Sequence, residues 1–161
     1  MEINVSVKLL SPQEKLTYKK DMIMLGNILD GNAEYFVTNY INEVNKYLIY
    51  GLISNDKLLG FCVIEDSSLN LTMYCFVINP QYQRNHLGSY FITTMEKMLI
   101  EMCVNSGVEN VILMLSCYQD TFNFYIKNNY KYLYTLKRKN LELKNSKGDN
   151  ELVLFKEIGI N

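Results

Sequence analysis

Between an apolar run and a helical pattern, the chain places Gln83, Arg84, Asn85, His86, Leu87, Gly88 and Ser89, just after Asn79-Pro80-Gln81-Tyr82. Residue types in that order suit the capture of an anion. The first turn of a helix carries backbone N–H groups with no helical acceptor, and the helix dipole adds partial positive charge there. A loop that gathers those donors holds a phosphate or pyrophosphate. Gln83 and Arg84 bring further donors, and Gly88 lets backbone come close to a ligand. A solvated polar turn is the plain alternative. His86 is the only histidine in 161 residues, which leaves almost no material for a histidine metal site or a histidine-based dyad. Cys62, Cys75, Cys103 and Cys117 lie far apart in apolar stretches. Their spacing points to buried free thiols in a reducing compartment.

The elements that must carry this loop follow from hydropathy patterning. Ile3, Val5, Val7 and Leu9 alternate as in a strand with one buried face. Ser11-Pro12-Gln13-Glu14 reads as a capping box with proline at the first helical position, followed by Tyr18, Met22, Leu25 and Leu29 at helical spacing. Asp30-Gly31-Asn32 ends that helix, and Asn32 can cap a second whose buried stripe is Phe36, Tyr40, Ile41 and Val44. Runs 46–54 and 58–66 flank a short Asn-Asp turn and read as a hairpin. A third strand, 70–79, is stopped by Pro80. Phe91, Met95, Met98 and Met102 mark a helix over 88–104, and 109–117 is a strand. A short helix over 118–129 has Asp120 near its start, and strands over 130–140 and 151–158 flank the polar turn 144–150.

The order is β-α-α-β-β-β-α-β-α-β-β. Strand 70–79, helix 88–104 and strand 109–117 form a right-handed crossover with the two strands parallel. The expected fold class is α/β of the α+β kind: one domain over 1–161, with a mixed, largely antiparallel sheet of six to seven strands and helices on both faces. A charged fraction of 20% and a net charge of −1 give no electrostatic case for nucleic acid or an anionic membrane. No apolar stretch approaches the ~18 residues of a membrane span, and the N-terminus lacks the layout of a signal peptide. The expected location is cytoplasmic.

In that setting the loop resembles the pyrophosphate loop of the GNAT superfamily of acyl-CoA-dependent N-acetyltransferases. That loop reads Gln or Arg, two free positions, Gly, one free position, then Gly or Ala, after a strand ending in proline. Gln83-Arg84-Asn85-His86-Leu87-Gly88 follows the pattern, with His86 at the first glycine position; histidine tolerates unusual backbone angles better than most residues. A second stretch, Phe124-Tyr125-Ile126-Lys127-Asn128-Asn129-Tyr130, is similar to that family's aromatic-Tyr pair followed by Lys-x-Gly-Phe, with Asn129 and Tyr130 replacing Gly and Phe. Tyr118 stands where the family often has asparagine.

The resemblance implies acetyl-CoA as co-substrate, no metal, and a primary amine as acceptor. Acetyl-CoA would enter between strands 70–79 and 109–117. Phe76, Val77 and Ile78 would offer main-chain groups to its pantetheine, one N–H polarising the thioester carbonyl. Gln83 through Ser89 would hold the pyrophosphate, with Tyr118 and Tyr125 against the cofactor. Tyr125 is the expected acid, protonating the departing thiolate. Glu65, beside Asp66, is the base candidate by layout, a solvated hairpin end being its plain alternative. Tyr74 is a substrate contact or a packed aromatic. His86 lies too far from the thioester to act as base. Lys137, Arg138, Lys139, Lys144 and Lys147 read as a solvated hairpin or a phosphate contact. The implied function is acetyl transfer to a small-molecule amine. Transfer to a protein N-terminus or lysine, and a non-catalytic acyl-CoA-binding module, are the alternatives, and a homodimer is left open.

Overall fold

The computed structural model describes residues 3–67, 70–137 and 150–159. Arg138, Lys139, Lys144 and Lys147, with the polar turn up to residue 149, lie outside the described residues. The elements are β1 (Ser6–Leu9), α1 (Pro12–Thr17), α2 (Lys19–Leu29), α3 (Ala33–Asn42), β2 (Tyr47–Ser54), β3 (Lys57–Asp66) and β4 (Asn70–Ile78). They continue as α4 (Leu87–Asn105), β5 (Asn110–Cys117), α5 (Gln119–Lys127), β6 (Lys131–Leu136) and β7 (Glu151–Gly159). The strands form one sheet in the order β1-β2-β3-β4-β5-β7-β6. Among the described residues its one parallel pair is β4 with β5, spanned by α4 as the crossover.

Local chemistry accounts for most boundaries. The Ser11 hydroxyl accepts the Glu14 N–H at 3.2 Å and the Glu14 carboxylate accepts the Ser11 N–H at 3.2 Å, a reciprocal cap with Pro12 at the first helical position. The β2–β3 turn places Asn55 and Asp56 at φ 48° and 57°, the left-handed pair whose twist matches the flanking strands. Pro80 ends β4 by opening a 3-10 turn, Pro80–Tyr82.

Four expectations are corrected. The first strand is shorter than 3–9, although Ile3, Val5 and Val7 still pack on the core. The helix after Ser11 breaks at Tyr18, which ends α1 and begins α2, so Met22 and Leu25 are buried while Leu29 is exposed. In α3 the buried positions are Ala33, Val37 and Ile41. Phe36 and Tyr40 only flank them, and Val44 lies beyond the helix end and is exposed. The strand expected over 130–140 begins at Lys131 and ends at Leu136 within the described residues, 138–140 lying outside them.

The sheet separates two cores. Met22 and Leu25 of α2 with Val37 and Ile41 of α3 cover Ile49, Phe61 and Val63 on one face. Phe91, Met95 and Leu99 of α4 with Tyr125 of α5 cover Tyr50, Cys62 and Ile64 on the other. Neighbouring residues of β2 and β3 therefore enter opposite cores, as the strand period of two requires. In β4 the rule is interrupted. Leu71 and Met73 enter the α4/α5 core, but Cys75 and Val77 enter the α2/α3 core. The cause is a bulge: from the pair Ile64↔Met73 to the pair Cys62↔Phe76, β3 covers two positions and β4 covers three. One extra residue flips every later side chain to the other face.

Candidate active site

At the end of β4 the expected anion loop takes a specific form. The Asn79 side chain accepts the Gln81 N–H at 3.0 Å, and the Gln83 side chain donates to the Ile78 carbonyl at 2.9 Å. Gln83 thus braces the loop to the strand with a donor that the sequence reading assigned to a ligand. Arg84 and His86 both have positive φ, 71° and 58°. His86 takes the left-handed conformation that a glycine supplies at no steric cost, and it occupies the capping position of α4 without a side-chain cap. The α4 N-terminal donors therefore face outward past exposed Arg84, Asn85 and His86. Gly88 also meets a packing constraint. A Cβ there would lie 3.0 Å from the Phe124 ring, so the missing side chain makes room for α5. Ser89 ties the same two helices, its hydroxyl accepting from the Asn128 side chain at 3.3 Å.

The strand leading to this loop parts from its neighbour. β4 and β5 pair over Asn70↔Ile112, Leu71↔Leu113, Thr72↔Met114 and Met73↔Leu115, then stop, although β4 continues to Ile78 and β5 to Cys117. The separation starts where β4 bulges. From Tyr74 to Ile78, the edge of β4 toward β5 has no strand partner among the described residues. A pocket of about 180 Å³ opens at the divergence, lined by Thr72, Met73, Tyr74, Met114, Leu115, Ser116 and Val153. Phe76, Val77 and Ile78 all lie on this free edge. The Phe76 side chain stacks on Phe124 at 5.6 Å, while Val77 and Ile78 are buried.

Tyr125 lies behind the same stretch of β4. Its ring meets Phe76 edge-on at 6.4 Å and Tyr130 at 5.7 Å. Burial holds its phenol far above the ordinary range, with the thiols of Cys62, Cys117 and Cys75 as lesser causes. A buried brace fixes this region. The Lys156 ammonium donates to both Glu96 oxygens at 3.0 and 2.6 Å and to the Asn128 carbonyl at 3.0 Å, and the Tyr130 hydroxyl donates to Glu96 at 3.4 Å. Burial raises the Glu96 carboxyl despite the opposing pull of Lys156. Tyr118 precedes α5, and its hydroxyl donates to Glu151 at 3.5 Å.

Glu65 is joined to a residue that the sequence reading left undecided. The Tyr74 hydroxyl donates to its carboxylate at 2.5 Å, and Lys46 stands 3.6 Å away. That bond, then burial, pushes the Tyr74 phenol up to about 12. Tyr74 also lies within an aromatic group, 6.2 Å from both Tyr40 and Tyr47. Tyr74 stands two residues beyond Thr72, the cross-strand partner of Glu65, and on the same face of the sheet, a register that the sequence of β4 alone does not announce. Among the described residues no three His, Cys, Asp or Glu side chains gather as metal ligands, and no helix is long and apolar enough to cross a membrane.

No protein-family model matches the chain, and no curated protein matches it. Solved structures do. The ribosomal-protein-S18-alanine N-acetyltransferase of Escherichia coli superposes with a TM-score of 0.74 at 14% identity, over 98% of this chain and 96% of that one. An aminoglycoside 6'-N-acetyltransferase complexed with coenzyme A gives 0.72 at 13% identity, over 97% and 98%. Ard1 from Thermoplasma volcanium gives 0.71 at 13%, over 98% and 99%. The chain has the GNAT fold over nearly its whole length.

Proposed function

We propose that the protein is an N-acetyltransferase that moves the acetyl group of acetyl-CoA to a primary amine of a small molecule, in the cytoplasm and without a metal. One observation carries the reading: β4 leaves β5 at its bulge and runs, with a free edge, straight into the loop at the α4 N-terminus. A ligand extended along that edge has its thioester near the bulge and its phosphates at the loop. A solved structure with the same fold is complexed with coenzyme A.

In this proposal Gln83 braces the loop, while Arg84, Asn85, His86, Leu87, Gly88 and Ser89 surround the pyrophosphate, chiefly with main-chain donors. Phe76, Val77 and Ile78 present free main-chain groups to the pantetheine, and an N–H near the bulge polarises the acyl carbonyl. Tyr118 borders the cofactor at the start of α5. Tyr125, kept protonated by burial, donates to the negative charge that grows on the departing sulfur. Glu65 is already engaged by Tyr74 and Lys46, so water in the pocket takes the proton of the attacking amine. Release of free thiol from acetyl-CoA with a panel of primary amines tests the proposal. If acetyl-CoA binds but no amine releases thiol, the protein is a binding module and the catalytic reading fails.

A further inference from the structure

Resting on that reading, the geometry points to the acceptor class: we propose that Tyr47, Tyr74 and Glu65 hold a cation beside the acyl site, so that the acceptor is a diamine. Thr72 and Tyr74 alternate with Leu71 and Met73, which belong to the α4/α5 core. The pocket at the divergence therefore opens on the opposite face. There the core under α2 and α3 takes no described residue from β5, β6 or β7, so the floor formed by Met114 and Ser116 is uncovered. Tyr74 is the wall shared by this pocket and the aromatic group.

The aromatic group already holds a primary ammonium, that of Lys46. Its nitrogen lies 5.0 Å from the Tyr47 ring centroid, 3.6 Å from Glu65 and 3.8 Å from Glu43. Ring faces and carboxylates attract any ammonium in this way. Lys46 is a replaceable occupant, because its side chain remains 47% exposed while that of Glu65 is 21% exposed and anchored by the Tyr74 hydroxyl. Exposed ion pairs add little by themselves; here the carboxylate that holds the ammonium is bonded to Tyr74, which itself lines the pocket at the divergence. A cation held between carboxylate and ring stays protonated and cannot attack. The group therefore takes the acceptor's second charge, and the reacting nitrogen sits neutral over the divergence.

Two readouts test the subsite. In thiol release, diaminobutane should exceed butylamine in kcat/KM by roughly tenfold, the scale of one partly exposed cation contact. Glu65→Gln should remove that preference through KM and leave kcat on butylamine intact. Tyr74→Phe, which keeps the ring, should reduce the preference, and Lys46→Ala should increase it by vacating the place. Equal efficiency on both amines overturns the subsite and keeps the acetyltransferase reading. An equal fall in kcat on both amines in Glu65→Gln also overturns it and makes Glu65 the base. Calorimetry with diaminobutane, acetyl-CoA absent, reads the subsite without turnover. Saturable binding weakened in Glu65→Gln or Tyr74→Phe supports it even if no thiol is released, and absence of binding overturns it.

Discussion

Tyr125 and the four thiols share one physical circumstance, burial in the apolar layers of the sheet. For Tyr125, removal of the hydroxyl with retention of the ring isolates the proton from the packing against Phe76 and Tyr130. Tyr125→Phe should lower turnover by ~10²-fold, the low end for one general acid, with acetyl-CoA affinity close to wild type. An unchanged rate at saturating cofactor would leave Tyr125 as a packed aromatic. Burial raises the Cys75 thiol to about 12 and the Cys117 thiol to about 11, and it raises Cys62 and Cys103 as well. The thiolate is the reactive form, so alkylation by iodoacetamide at neutral pH should be far slower in the folded protein than in denaturant. It should accelerate only as the pH climbs toward those raised values. Rapid labelling at neutral pH in the folded state would show that the thiols are open. The burial of the thiols was legible from the apolar surroundings of the cysteines, whereas that of Tyr125 depends on packing between α5 and β4.

The elements were less transparent, and the α4 N-terminus shows why. The left-handed conformation of His86 was readable, because the motif has a glycine at that place. The role of Gly88 was not, because its constraint comes from Phe124 on a different helix. The two positions should therefore respond differently. His86→Gly should leave acetyl-CoA affinity within a few-fold. Gly88→Val drives a branched side chain into the Phe124 ring and should cost about 1–3 kcal/mol of stability, as overpacking does, along with cofactor affinity. Melting curves and calorimetry on both variants separate the effects. A Gly88→Val protein as stable as wild type would contradict the packing account. The β4 bulge was equally hidden, since Asn70 to Ile78 reads as one apolar run until the register against β3 is known. Glu65 was found by its place at a strand end, but its bond to Tyr74 depends on that register.

Across the whole molecule, the order of elements along the chain and the parallel β4–β5 pair were legible because capping, turn and proline signals punctuate the chain at nearly every boundary. The pocket at the strand divergence was not, because it is built from β4, β5 and β7 together. Binding of acetyl-CoA to the native state alone should raise the melting temperature, by an amount equivalent to ~2.7 kcal/mol at a hundredfold excess over Kd. No shift at millimolar ligand would count against the entire assignment. The short β4–β5 pairing has a further consequence. Among the described residues four register pairs join β1 through β4 to the strands beyond, a narrow seam between two leaves of the sheet. Opening of that seam should be the least costly internal fluctuation of the sheet. In hydrogen exchange, the amides at Thr72 and Met114 should then trade with solvent sooner than those in the middle of β2 and β3. A ligand seated between the leaves should slow that exchange, and protection at the seam equal to that of β2 and β3 in the free protein would show that the leaves do not part.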